Sequence, residues 1–233
     1  MRNLRRLTIP VFLPVLLVAC ADEGAENAVT EESSAPPGAV ATAAEGEWRP
    51  LFDGATLTGW SNPYEWGAAS VESGEIHLVA DQKFFLMTDE EFGDFEFEGE
   101  VLMPDTMSNA GFMFRANVEG NRVFGYQAEV DPKARRWSGG LYDEGRRGWL
   151  VPAANDSAAA RAFREGPGSA FRATDWNRYR IRAQGDSLKI WVNDVLTAAY
   201  SDTVDAAGPI GLQHHGEDGK VYRYRNLRIQ ELQ

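Results

Sequence analysis

Apolar and polar residues alternate in short runs through most of the chain beyond residue 47. The clearest run is Phe95-Glu96-Phe97-Glu98-Gly99-Glu100-Val101, with an apolar and an acidic face. Successive strand side chains point to opposite faces, so a period of two predicts half-buried β-strands. Further runs of this kind span 111–115, 123–131, 178–184, 188–193, 210–215 and 221–232.

Turn residues separate these runs at short intervals. Ser73-Gly74 lies between 70–72 and 75–80, and Asn193-Asp194 lies between 188–192 and 195–200, so both pairs predict β-hairpins. Only 158–163 has the character of a short helix. Many antiparallel strands and no fixed-period repeat predict an all-β fold, an antiparallel β-sandwich or jelly roll, rather than a propeller or solenoid.

The first 20 residues have the pattern of an export signal. Three arginines at positions 2, 5 and 6 precede an apolar run at 7–19, which is shorter than the roughly 20 residues that span a bilayer. The run ends in Leu17-Val18-Ala19-Cys20, which matches a bacterial lipobox. We therefore predict a lipoprotein signal peptide at 1–19, lipidation of Cys20, and an exported protein held at the cell envelope by lipid. The alternative is a plain signal peptide with an incidental cysteine.

Composition divides the remainder into a tether and a domain. Residues 20–47 carry seven acids and no base, with valine as the only larger aliphatic residue, so they predict a disordered acidic tether. Residues 48–233 contain all the tryptophans and are long enough to form one core.

Charge and cysteine content exclude several classes of protein. The chain has 35 acidic and 23 basic residues and a net charge of −12, which argues against nucleic acid as a partner. The single cysteine excludes an intrachain disulfide and a cysteine-rich zinc site.

Beyond residue 47 the chain contains an ordered set of motifs. They are Leu51-Phe52-Asp53-Gly54, Leu57-Thr58-Gly59-Trp60, Asn109-Ala110-Gly111-Phe112-Met113-Phe114-Arg115, Gly125-Tyr126-Gln127-Ala128-Glu129-Val130-Asp131, Gly139 to Leu150, Trp176-Asn177, Ile210 to Gly216 and Arg225-Asn226-Leu227-Arg228-Ile229. This set resembles the 3-keto-disaccharide hydrolase domain family over nearly all of 48–233. The resemblance implies a sandwich of the concanavalin A-like lectin/glucanase type and cleavage of glycosides whose sugar carries a ketone at C3.

The strand at 123–131 is the best candidate for a binding cleft. Gln127, Glu129 and Asp131 share one face, whereas the residues between them face the other way. Such a face is often only solvated, but the resemblance implies that the family's cleft lies on this strand. The same alternation places Asn109 and Arg115 on one face of their strand, and Gln213 and His215 on one face of theirs. The segment after 123–131 adds Tyr142 and Arg146.

Three of these side chains are our catalytic candidates: Glu129, His215 and Asp131. The predicted substrate-binding residues are Asn109, Arg115, Gln127, Tyr142, Arg146 and Gln213. For several residues a structural role is the alternative: an ion pair for Arg115, an ion-pair loop for Arg146, and a hydrogen-bonded structural histidine for His215. His214 should face the other way and be structural. Trp137 and Trp149 either stack on a sugar ring or pack.

The chemistry implied by the resemblance is elimination. A ketone at C3 acidifies the C2 proton, for which Glu129 or His215 is the base. The group on C1 then leaves, and water adds across the double bond. No cofactor is certain. Either Arg115 or a divalent metal ion held by Glu129, Asp131 and His215 would stabilise the enolate.

Two other functions remain open. A conventional retaining glycosidase would use Glu129 and Asp131, which requires carboxyl groups about 5–5.5 Å apart. A non-catalytic carbohydrate-binding surface lipoprotein would use the same polar and aromatic groups without turnover. In each case the expected partners are a carbohydrate and, through the lipid only, the membrane. The oligomeric state stays open.

Overall fold

A computed structural model describes residues 46–233 of the chain. The predicted signal peptide at 1–19, Cys20 and the tether up to residue 45 lie outside the described residues. They stay predictions, and labelling of Cys20 by a fatty acid is their direct test. Within 46–233, no helix has the length and apolar character needed to cross a bilayer.

Fifteen strands and one α-helix, followed by a 3₁₀ turn, make up the described part of the chain. In chain order they are β1 (Arg49–Pro50), β2 (Trp60–Ser61), β3 (Ala68–Glu72), β4 (Glu75–Val79), β5 (Phe84–Phe92), β6 (Phe95–Leu102), β7 (Ala110–Glu119), β8 (Arg122–Val130), β9 (Leu141–Glu144), β10 (Gly148–Val151), α1 (Ser157–Glu165), the 3₁₀ turn (Pro167–Ala170), β11 (Asn177–Gln184), β12 (Ser187–Val192), β13 (Val195–Ser201), β14 (Gly208–His214) and β15 (Tyr222–Glu231).

The strands form two antiparallel sheets, which confirms the predicted jelly-roll sandwich. Sheet A has the order β13-β12-β11-β6-β15-β4-β3, with β1 beside β15. Sheet B has the order β10-β9-β8-β7-β14-β5-β2. Strands distant in sequence are neighbours in both sheets, so the chain crosses repeatedly between them.

The core lies between the sheets and is rich in aromatic rings. Phe112 of sheet B meets three rings of sheet A: Phe97, Tyr179 and Tyr224, at centroid separations of 5.6, 5.1 and 5.5 Å. All four residues are fully buried. Aromatic side chains bury a large apolar area and prefer such tilted or edge contacts, so this cluster fixes how the sheets face each other.

The outer face of sheet A carries a ladder of ion pairs. The acidic face predicted for 95–101 lies on β6, between the arginine-rich strands β11 and β15. Arg182 bonds Glu96 at 3.2 Å, and Arg225 bonds Glu100 at 2.7 Å. Opposite charges on adjacent strands stabilise their pairing. The face is therefore a solvated surface whose charges are matched.

The predicted hairpins are confirmed. Ser73 and Gly74 have φ of 53° and 80°, and Asn193 and Asp194 have φ of 47° and 71°. Positive φ at both central residues is the signature of the type I′ turn that matches strand twist. The predicted helix at 158–163 is also present, extended to Ser157–Glu165 and capped by the Asp156 side chain.

Candidate functional site

Glu129 lies at the centre of a hydrogen-bonded group on the face of sheet B that points away from the core. Asn109, just before β7, donates from Nδ2 to Glu129 Oε1 at 2.5 Å. Gln127, two residues earlier on β8, donates from Nε2 to Glu129 Oε2 at 2.8 Å. Each carboxylate oxygen therefore has one amide donor. All three residues are at least 95 % buried.

Gly111 makes this arrangement possible. It is paired with Glu129 across β7 and β8. A Cβ atom at Gly111 would lie 2.5 Å from Cγ and Cδ of Gln127. The Gln127 side chain thus crosses the space that a larger residue would fill, and its amide reaches Glu129.

A cavity of about 280 Å³ opens above this group. Six of the predicted site residues line it together, namely Asn109, Gln127, Glu129, Tyr142, Gln213 and His215. Five more complete the lining: Lys83, Lys133, Arg135, Glu144 and Trp149. The strands β8, β9 and β14 thus bring together residues as far apart in sequence as Gln127 and Gln213.

Burial sets the protonation of Glu129. Removal from water raises its pKa to about 7, and the negative charge of Asp131 acts in the same direction. The amide bonds of Asn109 and Gln127 and the charge of Arg135 oppose this shift, since they stabilise the carboxylate. A carboxyl with a pKa near neutrality is suited to accept a proton in catalysis.

Three cationic side chains line the cavity, and the sequence analysis missed all three. Lys83 forms an ion pair with Glu144. Arg135 pairs with Asp131, lies 3.9 Å from Glu129 and covers the ring of Trp149 at 5.2 Å from its centroid. These cations sit in loop segments beside β5 and β8. Strand alternation does not apply in loops, so the residue pattern does not mark these cations.

Lys133 is the third cation. Its backbone carbonyl accepts from the N–H of Arg136, but its ammonium group has no hydrogen-bond or ion-pair partner within 46–233. It follows β8 by three residues and lines the cavity. An unpaired ammonium group beside a buried carboxyl is available to bind an oxygen of a ligand.

Two buried amide oxygens also lack partners within 46–233: Oε1 of Gln127 and Oε1 of Gln213. Both residues are 1 % exposed and line the cavity. A buried polar atom without a partner is costly, and hydroxyl groups of a ligand would satisfy both. Tyr142 and Trp149, whose rings meet edge to face at 5.1 Å, supply an apolar wall.

Asp131 shares the predicted strand face but does not line the cavity with Glu129. Its Oδ2 is paired with Arg135, and its backbone N–H donates to Ser138 Oγ at 2.8 Å. It instead lines an adjoining cavity. Asp131 lies just beyond the end of β8 at Val130, and its carboxylate is held there by Arg135.

Arg115 is not brought to the site, which corrects our expectation. Its φ is 44° and β7 has a bulge between Phe114 and Asn117, so the parity from Asn109 breaks there. The buried guanidinium bonds the carbonyl oxygens of Gly93 and Gly185, each at 2.8 Å, as well as Asp94. Arg115 therefore has the structural ion-pair role that was the alternative to substrate binding.

Arg146 is likewise placed outside the cavity lining. It bonds Asp143 at 2.8 Å and is paired with Asp205. Arg147 pairs with Asp143 and Asp202 in the same cluster. The ion-pair loop that we considered for Arg146 is what the structure contains, so the expected contact with substrate is not supported.

The two histidines differ as their parity predicts. His215 lines the cavity, is about half exposed, and lies with Nδ1 3.3 Å from Glu217 Oε1. His214 is fully buried, and its ring lies against that of Tyr222 in a tilted contact with centroids 4.1 Å apart. The N–H of Gly216 donates to its Nδ1, so its other nitrogen donates to the Lys220 carbonyl. His214 is therefore structural.

The proposed metal ligands do not fit a metal centre. Within 46–233, no group of three or more His, Cys, Asp or Glu side chains is arranged to hold an ion. Both oxygens of Glu129 accept amide bonds, and Asp131 is held by Arg135. These carboxylates are therefore engaged by protein donors rather than arranged around an ion.

Comparison with solved structures identifies proteins of similar fold. The carbohydrate-binding module CBM66 from Bacillus subtilis matches with a TM-score of 0.55 and 18 % identity, over 74 % of this chain and 96 % of that one. The β-glucanase of Bacillus licheniformis matches with a TM-score of 0.51 and 13 % identity, over 82 % and 99 %. A Bacillus subtilis protein of unknown function with a galectin-like fold gives 0.54 and 12 %, over 82 % and 99 %.

The protein is thus a jelly-roll sandwich of the kind found in both glycoside hydrolases and carbohydrate-binding modules. The sequence identifies the family. Residues 47–230 match the model of the 3-keto-alpha-glucoside-1,2-lyase-like domain, and the chain belongs to this family. No curated protein is close enough in sequence to count as a relative.

Proposed function

We propose that the protein cleaves 3-keto-glycosides by elimination, with Glu129 as the base. The observation that carries this proposal is a buried carboxyl held by two amides at the floor of a cavity lined by three cations. Membership of the lyase-like family supports the reaction class.

The reaction begins with transfer of the C2 proton to Glu129. The electrons of the C2–H bond move towards C3, and the ketone becomes an enolate. The enolate then collapses: the ketone reforms, a C1–C2 double bond forms, and the bond from C1 to the leaving oxygen breaks. Water adds to the double bond, its oxygen to C1 and a proton to C2, so the net reaction is hydrolysis.

The cations stabilise the charge that develops on the C3 oxygen. The Lys133 ammonium group is unpaired and therefore available to the anion, whereas Arg135 is held against Asp131 and Trp149 and is preorganised beside the cavity. Lys133 and Arg135 thus stabilise the enolate, a role that we expected of Arg115 or a divalent metal ion. His215, beside Glu217, donates the proton to the leaving oxygen.

The amide oxygens orient the sugar. Free Oε1 atoms on Gln127 and Gln213 accept bonds from sugar hydroxyls, and Trp149 and Tyr142 pack against the ring. These contacts hold C2 near Glu129, and such positioning supplies a large part of a typical catalytic effect.

The test measures product release from a 3-keto-disaccharide and from its unoxidised parent. We expect cleavage of the keto sugar alone, with kcat/KM rising as pH increases through about 7, where Glu129 loses its proton. Glu129→Gln should lower kcat by roughly 10²–10⁴-fold. Glu100→Gln, on the outer face of sheet A, is the matched control and should retain wild-type kcat.

Equal cleavage of the parent sugar would overturn elimination in favour of an ordinary glycosidase. The geometry disfavours that route, because Asp131 does not share the cavity with Glu129 and Glu144 is engaged by Lys83. A retaining enzyme needs a second free carboxyl close to the first.

Binding without turnover is the second candidate function. The unpartnered amide oxygens beside an aromatic wall favour it, since lectin-like sites also combine these groups. If Glu129→Gln binds the keto sugar as wild type does and neither protein releases product, the chain is a sugar-binding module.

A further inference from the structure

A second cavity, of about 480 Å³, adjoins the cavity above Glu129. Lys133 lines both, so the two spaces meet at this side chain. We call the second space the flanking cavity, and its lining includes Met107, Asp131, Pro132, Lys133, Arg136 and Phe171. Its volume is in the range of small-molecule sites.

The wall of the flanking cavity is built before any ligand arrives. It contains the 3₁₀ turn, where a Cβ on Gly168 would lie 2.0 Å from the Arg136 carbonyl oxygen. Asn193 donates to the Ala170 carbonyl at 2.9 Å. The fully buried Asn177 accepts from the N–H of Arg172 and donates to its carbonyl, both at 2.8 Å. This segment is thereby fixed against the sandwich.

One buried acceptor in the flanking cavity is unused. Asp131 is 1 % exposed, its Oδ2 is held by Arg135, and its Oδ1 has no hydrogen-bond partner within 46–233. An unpaired buried oxygen favours a ligand that brings a donor. A hydroxyl group fits this requirement.

The lining around that acceptor combines apolar side chains, among them Met107, Pro132 and Phe171, with the cationic side chains of Lys133 and Arg136. Met107 is 72 % exposed, although a side chain of this kind is usually covered. Phe171 and Pro132 line the same cavity. Methionine sulfur makes favourable contacts with aromatic rings. Among residues 46–233, no tryptophan or tyrosine lines the flanking cavity to stack on a sugar ring.

We propose that the flanking cavity binds the leaving group of the glycoside, and that this group is a hydroxylated aromatic ring rather than a second sugar. The proposal rests on the proposed function. The sugar occupies the cavity above Glu129, the ring packs on Met107 and Phe171, and its hydroxyl donates to Oδ1 of Asp131.

The experiment compares two substrates on the full chain: the 3-keto form of 4-hydroxyphenyl glucoside and a 3-keto-disaccharide of two glucoses. We expect kcat/KM for the aryl substrate to be about tenfold higher or more, a difference of about 1.4 kcal/mol. Met107→Ala should reduce that ratio several-fold. Leu196→Ala, also exposed but outside both cavities, should leave it unchanged.

A second variant tests the acceptor. In Asp131→Asn the amide oxygen stays on Arg135, which can only donate, so the NH₂ group faces the cavity and the acceptor is lost. The preference for 4-hydroxyphenyl over phenyl 3-keto-glucoside should then disappear. A wild-type ratio of one or less between the aryl substrate and the disaccharide, or a ratio untouched by Met107→Ala, overturns the proposal while elimination stands.

Absence of all turnover would instead remove the proposed function. The flanking cavity is then judged by calorimetric titration with hydroquinone. Binding that is weaker in Met107→Ala than in Leu196→Ala supports an aromatic site, and absence of binding overturns it.

Discussion

Glu129 is a carboxyl whose proton is controlled by its neighbours. Burial and Asp131 raise its pKa, whereas Asn109, Gln127 and Arg135 lower it, and the balance lies at about 7. The balance matters because a stronger shift would keep the base protonated and a weaker one would leave it less basic.

This raised pKa makes stability depend on pH. Between about pH 4.5 and 7 the unfolded chain loses the Glu129 proton while the native state keeps it, so the native state becomes less stable as pH rises through this window. Above pH 7, the raised pKa of Glu129 lowers the free energy of unfolding by about 3 kcal/mol. Glu129→Gln does not titrate, and rotation of the Gln127 amide lets its free oxygen accept the new N–H. Relative to wild type, the variant should therefore gain stability between pH 5 and pH 8.

Denaturant unfolding at the two pH values measures this gain. Glu100→Gln provides the comparison, since its side chain is on the solvated ladder of sheet A, and it should show no comparable gain at pH 8. If the free energies of unfolding of Glu129→Gln and wild type differ by the same amount at both pH values, the pKa of Glu129 is not raised in the native state.

At this scale the sequence predicted which strand side chains share one cavity. Gln127, Glu129, Gln213 and His215 follow the parity of β8 and β14, and the structure places them on one cavity. Lys133 was missed because it lies in a loop, where no periodicity relates sequence position to direction.

At the scale of elements, the β7–β8 pair decides which side chains meet. The register sets Gly111 opposite Glu129, and the absent side chain leaves room for Gln127. Four residues further along β7, the bulge turns Arg115 away from the site, and its buried guanidinium pairs with the partly exposed Asp94. A bulge breaks the period of two, and nothing in the residue pattern marks its position.

Gly111→Ala tests this close approach. The added Cβ displaces Gln127, and Glu129 loses the amide bond that helps to hold it ionised. Its pKa should rise above about 7, so the acidic limb of the pH profile of kcat/KM should move to higher pH. Overpacking should also cost about 1–3 kcal/mol of stability.

Gly93→Ala is the control for this glycine. A Cβ there meets only the Ala206 carbonyl oxygen at an ordinary 3.7 Å, and the pH profile should be unchanged. If the profile of Gly111→Ala also stays in place, the Gln127 bond does not set the protonation of Glu129.

Strand β5 shows a limit of pattern reading. Its first five residues, starting at Phe84, are all buried, because the strand lies inside sheet B between β14 and β2 and both faces are covered. A continuous apolar run has no period to read, so this strand was not predicted.

At the scale of the whole molecule, two tyrosine hydroxyls tie the sheets together beneath the site. Tyr179 of β11 donates to the Glu129 carbonyl at 2.8 Å, and Tyr224 of β15 donates to the Gln213 carbonyl at 2.6 Å. Both tyrosines are fully buried. Sheet A therefore supports the backbone of two residues that line the cavity.

Tyr224→Phe should lower the free energy of unfolding by about 1 kcal/mol, because it removes one buried hydrogen bond and leaves the ring in place. Thermal or denaturant unfolding measures the loss. Tyr200→Phe, at a partly buried position packed on the core, removes a hydroxyl with no hydrogen-bond partner within 46–233 and should be neutral. Equal stability of both variants and wild type would show that the bond between the sheets contributes nothing.

The sequence by itself determined the two-sheet architecture, the hairpins and the polar face of β8, because alternation and turn residues are local properties of the chain. The tertiary structure decided the rest. It brought Lys83, Lys133 and Arg135 to Glu129, excluded Arg115 and Arg146, and set Asp131 on a separate cavity. These outcomes depend on strand register, a bulge and loop paths, which arise from contacts between residues far apart in sequence.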